Sequence, residues 1–273
     1  MRSTDTDNIH TLHGASAEGN VKAVKLALKE GAGVNKKDLK HITALHLACQ
    51  KGWHSVVKVL LDNRADVNQQ TYYGRTALHI AASEGHARVV KILLSRYADI
   101  EAKDIEGATA LHIAISEDQA EVVEILLRKQ AKVDEKDIKG STALHYAFDR
   151  FSVTFSSNLL ALLLKESNSV NAKDDEGKTA LHYACIRRAN EVGEKIEMLV
   201  KHGAEVNEKD SSGSTALHYA SKHFNDDAII ALLKWGANVN DKDKRGFTAL
   251  HHASRYGDTE AMKLLLDNGA NVN

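Results

Sequence analysis

The chain lacks the features that mark an exported, disulfide-bonded or membrane-spanning protein. It has no proline and only two cysteines, Cys49 and Cys185, which are too few for a disulfide framework. The longest wholly apolar run covers residues 159–164, far short of the roughly 20 residues of a transmembrane helix. The first residues form no apolar signal segment, and no Asn-x-Ser/Thr acceptor occurs. We therefore expect a cytoplasmic protein with no membrane insertion.

The charge balance argues against nucleic acid as a partner. Lys and Arg total 36 and Asp and Glu total 37, for a formal net charge of -1, whereas nucleic-acid binders normally carry a positive field. An apolar content of 43% is ordinary for a folded protein. At 273 residues, the chain should form either two globular domains or one elongated repeat array.

A repeated motif favours the array. The tetrad Thr-Ala-Leu-His occurs seven times at intervals of 33 to 37 residues, and a degenerate copy begins at Thr11. The tetrads begin at Thr43, Thr76, Thr109, Thr142, Thr179, Thr215 and Thr248. Such a period indicates stacked copies of one supersecondary unit.

The unit that begins at Asp104 shows the expected structure of each copy. Asp104 and Gly107 have turn chemistry, and Thr109 can cap a helix that begins at Ala110. Farther on, apolar residues at 122–127 form a stripe wider than one helix can bury alone. Each copy therefore needs a neighbouring copy to cover it.

The motif resembles the ankyrin repeat family, whose unit of about 33 residues carries a Thr-Pro-Leu-His-x-Ala signature. The resemblance covers essentially the whole chain and implies an all-α ankyrin-repeat α-solenoid of helix-turn-helix units with hairpin-like tips. We expect one domain, 1–273, with approximate repeats at 8–37, 41–70, 74–103, 107–136, 140–173, 177–209, 213–242 and 246–273.

The chain departs from the family pattern at two kinds of position. Alanine replaces the tetrad proline everywhere. The glycine that ends the second helix in a left-handed conformation is kept in repeats one, six, seven and eight, but Arg64, Tyr97, Gln130 and Ser167 replace it in repeats two to five. A left-handed residue other than glycine costs about 1 kcal/mol. We therefore expect strain at these four positions and central repeats that are weakly protected from hydrogen exchange.

Two insertions and the last helix leave alternatives open. The insertions lie around residues 149–156 and 186–191, and Phe151 and Phe155 in the first either contact a partner or fold back onto the core. The last helix, around Met262 and Leu266, has no polar repeat after it. Either the chain is a piece of a longer array, or this face is buried by self-association.

The sequence predicts no catalytic residue, no metal site and no cofactor. Eight of the fifteen histidines occupy the same place in successive repeats, and the family resemblance implies that they bind backbone groups of neighbouring turns. There is no His-Glu-x-x-His helix, no zinc-type cysteine pair and no phosphate-binding glycine loop. Cys49 and Cys185 are expected to fill the core.

The resemblance implies a concave binding surface made of the turn tips and the exposed face of the first helices. Tyr72, Tyr73 and Arg75 form the first candidate hot spot, because tyrosine and arginine are favoured interface anchors; alternatively, neighbouring tips pack these side chains together. Basic residues toward the C-terminus either bind an acidic partner segment or, as the simpler account, are solvated surface charge. The candidate protein-binding residues are Leu39, Lys40, Ile42, Tyr72, Tyr73, Arg75, Ile105, Glu106, Ile138, Lys139, Arg150, Arg187, Lys222, Lys244, Arg245, Phe247, Arg255 and Tyr256.

The function that these observations favour is that of a non-enzymatic adaptor or scaffold with a protein partner. Two alternatives use the same surface. The chain could be the repeat region of a larger enzyme, channel or receptor, or a secreted effector that acts inside a host cell.

Overall fold

The computed structural model describes residues 11–148, 155–186 and 191–272. All the regular secondary structure in these ranges is helical, which confirms the predicted all-α class. Internal contacts divide the chain into two compact units, unit 1 at residues 1–131 and unit 2 at residues 132–273. The division into eight repeats of a single domain stays a prediction.

Unit 1 contains four helix pairs, in which a short first helix precedes a longer second helix. The first helix of the first pair, α1, is helical over residues 11–17. The remaining helices are α2 (Val21–Lys29), α3 (Ala44–Gln50), α4 (His54–Asp62), α5 (Ala77–Ser83), α6 (Ala87–Ser95), α7 (Ala110–Ser116) and α8 (Ala120–Arg128). The first helices α3, α5 and α7 each pack against their own second helix, and α3 packs against α5 and α5 against α7.

Unit 2 contains four more pairs of the same kind. Its second helices also pack in succession, α12 against α14 and α14 against α16. The helices are α9 (Ala143–Tyr146), α10 (Ser157–Glu166), α11 (Ala180–Ile186), α12 (Val192–Lys201), α13 (Ala216–Lys222), α14 (Asp226–Lys234), α15 (Ala249–Tyr256) and α16 (Thr259–Asp267).

The tetrad threonine and histidine cap the first helices. The Thr43 hydroxyl accepts a hydrogen bond from the His46 backbone N–H at 3.4 Å, and the Thr43 N–H donates to His46 Nδ1 at 3.1 Å. This is a capping box in which histidine takes the place of glutamate or glutamine. Because Nδ1 is an acceptor, the proton of the neutral ring lies on Nε2.

The other ring nitrogen joins successive repeats, as the family resemblance implied. His46 Nε2 lies 2.9 Å from the carbonyl oxygen of Gln69, and His182 Nε2 lies 3.2 Å from that of Ser214. The same bond recurs at His79, His145 and His218. These five histidines are therefore structural groups that satisfy turn carbonyls.

Both the first and the second helices contribute buried apolar residues to the core. In unit 1, Leu60, Leu93 and Leu126 occupy equivalent places and are fully buried. Leu199 and Leu232 do the same in unit 2. Fully burying one such side chain stabilises the fold by roughly 2 kcal/mol, so that stacking supplies the stability that one pair of short helices lacks.

Three of the four predicted strained positions are confirmed. Arg64, Tyr97 and Gln130 have φ angles of 67°, 62° and 61°. The prediction for Ser167 is wrong, since its φ is -83° and the chain leaves α10 in an extended conformation. The reason is a local acceptor: the Ser167 hydroxyl and the Asn168 N–H donate to the Asp134 carboxylate at 2.7 and 2.8 Å.

Other strained residues escaped the sequence analysis. Asp118 and Phe224 have φ angles of 56° and 60° between the two helices of their repeats. Glycine takes that place at Gly52 and Gly257, also with positive φ. His41 and Glu191 are left-handed as well.

The two insertions fall largely outside the described residues, including Phe151 and residues 187–190. Phe155 is described and only 2% exposed, which favours the interpretation that its ring folds back onto the core. Cys49 and Cys185 are fully buried, as expected for core residues.

Candidate protein-binding surface

An aspartate holds together most of the tips that precede the first helices. Asp104 Oδ1 accepts from the N–H groups of Glu106 and Ala108 at 2.9 and 3.0 Å, and the Asp104 N–H donates to the Ala108 carbonyl at 3.0 Å. The same arrangement recurs at Asp38, Asp137, Asp174, Asp210 and Asp243.

Backbone hydrogen bonds connect neighbouring tips within each unit. In unit 1 the Tyr72 N–H donates to the Lys40 carbonyl at 3.1 Å, and the Ile105 N–H donates to the Tyr73 carbonyl at 3.2 Å. In unit 2 the Ser211 N–H donates to the Glu176 carbonyl at 2.9 Å. These bonds fix the spacing of the tips. We call the tips and the exposed faces of the first helices the tip surface of each unit.

The tip surface of unit 1 exposes apolar and aromatic side chains. Leu39 is fully exposed, and Tyr72, Tyr73 and Ile105 are 68%, 59% and 54% exposed. The two tyrosine rings meet edge to face, with their centroids 5.5 Å apart. Both tyrosines lie in the same tip, and His41 of the preceding tip meets the Tyr72 ring edge to face, with centroids 6.3 Å apart. Neighbouring tips thus contact each other, yet both tyrosines stay more than half exposed.

A cavity of about 240 Å³ opens beside these rings. Ile42, Leu47 and Ile80 form its apolar wall, while Lys40, Arg75 and Glu84 bring charge to it. Arg75 Nε lies 3.6 Å from the buried carboxylate of Asp104, which orients the guanidinium. The cavity combines an apolar interior with charged groups, as binding pockets for protein side chains do.

The tip surface of unit 2 has different chemistry. The hydroxyls of Tyr146, Tyr183 and Tyr219 donate to the tip aspartates of their own repeats at 2.7 to 2.9 Å. Each tyrosine directly follows a tetrad. The rings of Tyr183 and Tyr219 also meet the tetrad histidine of the preceding repeat edge to face. The sequence analysis did not identify these tyrosines.

Cations lie over aromatic rings on this surface. Lys178 Nζ lies 5.8 Å from the centroid of the Tyr183 ring and 5.5 Å from that of Tyr219. The Arg245 guanidinium lies 5.3 Å from the centroid of the Phe247 ring. Such contacts are weakly stabilising at exposed sites, and they hold the cations at defined positions.

Burial and hydrogen bonding shift the titration of the Tyr219–Asp210 pair. Burial raises the pKa of Tyr219, and the neighbouring Asp210 carboxylate raises it further. Burial also acts to raise the pKa of Asp210, but hydrogen bonds from Tyr219 and Ser212 outweigh it and lower that pKa. At neutral pH the pair is therefore a neutral hydroxyl that donates to an ionised carboxylate.

Comparison with family models identifies the type of repeat. A family model described as ankyrin repeats (3 copies) matches residues 12–104, 99–154 and 151–243, and one described as ankyrin repeats (many copies) matches residues 230–273. The chain belongs to the ankyrin repeat family. No relative is found among curated proteins. Ankyrin repeats are in general protein–protein interaction modules.

The residues predicted to contact a partner lie mainly on the exposed part of the ankyrin tips. Ile42 and Phe247 are half-buried, and the other predicted residues in the described ranges are exposed. Arg150 and Arg187 lie outside those ranges. Lys222 and Arg255 stand at the C-terminal ends of the first helices α13 and α15, in unit 2, where Lys244 and Arg245 occupy the last tip.

Burial shifts the pKa values of the cysteines and of most tetrad histidines in these ankyrin repeats. Burial raises the pKa of both cysteine thiols, which disfavours the nucleophilic thiolate. Burial lowers the pKa of His46 to about 4, and it lowers those of His79, His145, His182 and His218. Among the described residues, no three His, Cys, Asp or Glu side chains converge on a metal position, and no helix there is long and apolar enough to cross a bilayer.

Proposed function

We propose that the chain is a non-enzymatic adaptor or scaffold that binds a protein partner through its tip surfaces. The observation that carries the proposal is the group of exposed apolar tips beside the 240 Å³ cavity of unit 1. A cytoplasmic site of action fits the scarcity of cysteine and its burial as free thiols.

Tyr72 and Tyr73 are the anchors in this proposal. Their side chains give large contact areas with few rotatable bonds, and such residues dominate measured binding energies. The cavity beside Tyr73 can take one large apolar side chain of the partner. Lys40 and Arg75 next to it favour a carboxylate in the same partner segment.

The alternative settings use the same surface. As the repeat region of a larger enzyme, channel or receptor, or as an effector in a host cell, the chain would still bind through Tyr72 and Tyr73. The partner and the rest of the polypeptide would then differ, whereas the binding residues would not.

A paired capture experiment tests the anchors. The intact chain and its Tyr72→Ala/Tyr73→Ala variant are compared as baits, with quantitative mass spectrometry of the bound proteins. Tyr97→Ala is the matched control, because Tyr97 is 89% exposed in the same unit but follows the second helix α6. We expect at least one protein to be retained by the intact chain and by Tyr97→Ala, with a loss of about tenfold or more for the double variant.

A result in which every captured protein is retained equally by all three baits would overturn the assignment of the anchors. Direct titration of a retained protein against the three purified baits then measures the loss as a ratio of dissociation constants. Circular dichroism of the baits shows that they fold alike, since all three tyrosines are exposed.

We also propose self-association through the last ankyrin repeat of unit 2. The tetrad leucines of other repeats, such as Leu217, are buried. In the last repeat, however, Leu250 is half-buried and His251 is exposed. They line an open groove of about 260 Å³ together with Met262, Leu266 and Val272. Sedimentation velocity should show a concentration-dependent dimer that Leu266→Glu abolishes. A monomer at all concentrations would refute this.

A further inference from the structure

A second and smaller cavity lies on the tip surface of unit 2, and its lining is polar. It has a volume of about 90 Å³, compared with roughly 30 Å³ for one water molecule in the liquid. The cavity lies between two neighbouring tips and the first helices α13 and α15. Its lining consists of Ser212, Ser214, His218, Tyr219, Lys222, Arg245 and His252.

Two cations border the cavity. Lys222 is exposed and forms no ion pair within the described part of the chain. Arg245 is 68% exposed, and its only carboxylate neighbour in that part is Asp243, at 3.8 Å from Nε. Its guanidinium is held over Phe247. Both cations are thus available to a ligand.

The two aspartates near the cavity are already satisfied by the protein. Asp210 accepts hydrogen bonds from the Ser212 and Ser214 N–H groups, from the Ser212 hydroxyl and from Tyr219. Asp243 accepts from the N–H groups of Arg245 and Phe247. These donors disperse the negative charge, so that the accessible charge at the rim is positive.

His252 contributes a buried nitrogen without a partner. The residue is 8% exposed, and its Nε2 atom makes no hydrogen bond in the described structure. The nearest carboxylate oxygen, Asp243 Oδ2, is 3.7 Å away. Burial and the proximity of His218 lower the pKa of His252 and keep it neutral at pH 7. A neutral ring protonated at Nε2 can donate one hydrogen bond.

We infer that this cavity binds the phosphate group of a phosphorylated serine or threonine on the partner protein. The inference rests on the proposed function and adds a second recognition element to it. A phosphate monoester carries about -1.5 to -2 charges at pH 7 and three acceptor oxygens. Lys222, Arg245 and His252 offer an ammonium, a guanidinium and an imidazole N–H to those oxygens, whereas a carboxylate has only two.

The shape of the cavity also favours a phosphate. Its volume of about 90 Å³ exceeds what a single water would need and leaves room for a tetrahedral group. Arginine gives directional hydrogen bonds to phosphate oxygens, and lysine adds a point charge. Ser214, whose hydroxyl lies 2.9 Å from that of Ser212, can rotate to meet a further oxygen.

A titration of the whole chain followed by NMR tests the inference. The probes are N-acetyl-O-phosphoserine amide, N-acetyl-aspartate amide and inorganic phosphate, at constant ionic strength. The ring signals of His252 report binding, and those of His182, a buried tetrad histidine in another repeat, serve as the internal reference. We expect a saturable shift of His252 with phosphoserine amide and binding that is about tenfold weaker for the other two probes.

Charge variants separate a site from a diffuse basic field. Lys222→Gln/Arg245→Gln should weaken binding of phosphoserine amide by about tenfold or more. Lys244→Gln is the matched control, because Lys244 carries the same charge on the same tip but does not line the cavity and instead donates to the Ser211 carbonyl. It should change the dissociation constant by less than about twofold.

Three outcomes would overturn the inference: no saturable shift of His252, equal losses in Lys244→Gln and in the double variant, or equal binding of inorganic phosphate, which would indicate a free-phosphate site. All three leave the capture experiment with Tyr72 and Tyr73 unaffected. A failed capture with a positive titration would instead show an anion site on a chain whose partner binds elsewhere.

Discussion

In unit 1 the residue after each tetrad is Leu47, Ile80 or Ile113, whereas in unit 2 the first three such places hold tyrosine and the fourth holds His252. Paired helices, threonine–histidine caps and buried leucines occur in both units. The residue after the tetrad therefore decides whether a tyrosine hydroxyl donates to the tip aspartate. This shows that the ankyrin framework fixes where a surface residue lies and leaves its chemistry free.

The two units also differ in the residue that follows the second helix of each repeat. Unit 2 has Gly203, Gly236 and Gly269 there, with φ angles of 93°, 83° and 87°. Unit 1 keeps glycine only at Gly31 and otherwise places larger residues in the same left-handed region. Unit 1 thus combines the more apolar tip surface with the more strained backbone.

Lowering the pH should produce the largest difference in stability between the two units. Burial lowers the pKa of His145, His182, His218 and His252 in unit 2. In unit 1, burial lowers the pKa of His46 to about 4 and also lowers that of His79. Below pH 6.5 the histidines of the unfolded chain take up protons, whereas the buried histidines of the folded chain stay neutral. The free energy of unfolding therefore falls as the pH falls toward 4. The slope is at most about 1.4 kcal/mol per pH unit for each histidine.

The two tryptophans allow each unit to be followed separately. Trp53 lies in unit 1 and Trp235 in unit 2, so Trp53→Phe and Trp235→Phe variants each keep one fluorescent reporter. Urea unfolding between pH 7.5 and 4.5 should show unit 2 losing several kcal/mol and unit 1 losing less. Identical losses from the two reporters would contradict the comparison.

The helices, caps and buried residues of the framework could be predicted from the sequence, because the same residue pattern recurs in every repeat. The tetrad at Thr109 predicted the cap of α7, and the apolar stripe at 122–127 predicted a helix whose face is now buried. Turn glycines and aspartates gave the tips in the same way. These features depend on local chemistry that one repeat contains in full.

The parts that escaped prediction depend on partners in other elements. Ser167 avoids the left-handed region because Asp134, 33 residues earlier, accepts a hydrogen bond from its hydroxyl. The cavity at Lys222 and Arg245 requires two repeats to be stacked. The tyrosine signal was present, as a switch from aliphatic to aromatic residues after the tetrad, but its meaning depends on the distance to the tip aspartate.

Substitutions at the residue after the second helix should change stability by a smaller amount. Glycine should stabilise unit 1, whereas replacing glycine should destabilise unit 2. Arg64→Gly and Tyr97→Gly relieve a left-handed backbone that costs about 1 kcal/mol, less the entropy that glycine adds to the unfolded chain. We expect each to stabilise unit 1 by roughly 0.5 kcal/mol. Gly203→Ala and Gly236→Ala should destabilise unit 2 by about 1 kcal/mol, because a Cβ there meets no atom within 4 Å and the backbone alone resists it.

Ser167→Gly is the matched control for this exchange. Its φ of -83° leaves no strain to relieve, and the substitution removes the hydrogen bond to Asp134, so that it should destabilise unit 2 by about 1 kcal/mol. Urea midpoints from the single-tryptophan variants measure all five changes at constant pH. If Arg64→Gly and Tyr97→Gly lowered the urea midpoint of unit 1, the two side chains would stabilise the fold by more than the left-handed backbone costs. That result would contradict the conclusion that backbone strain makes unit 1 less stable.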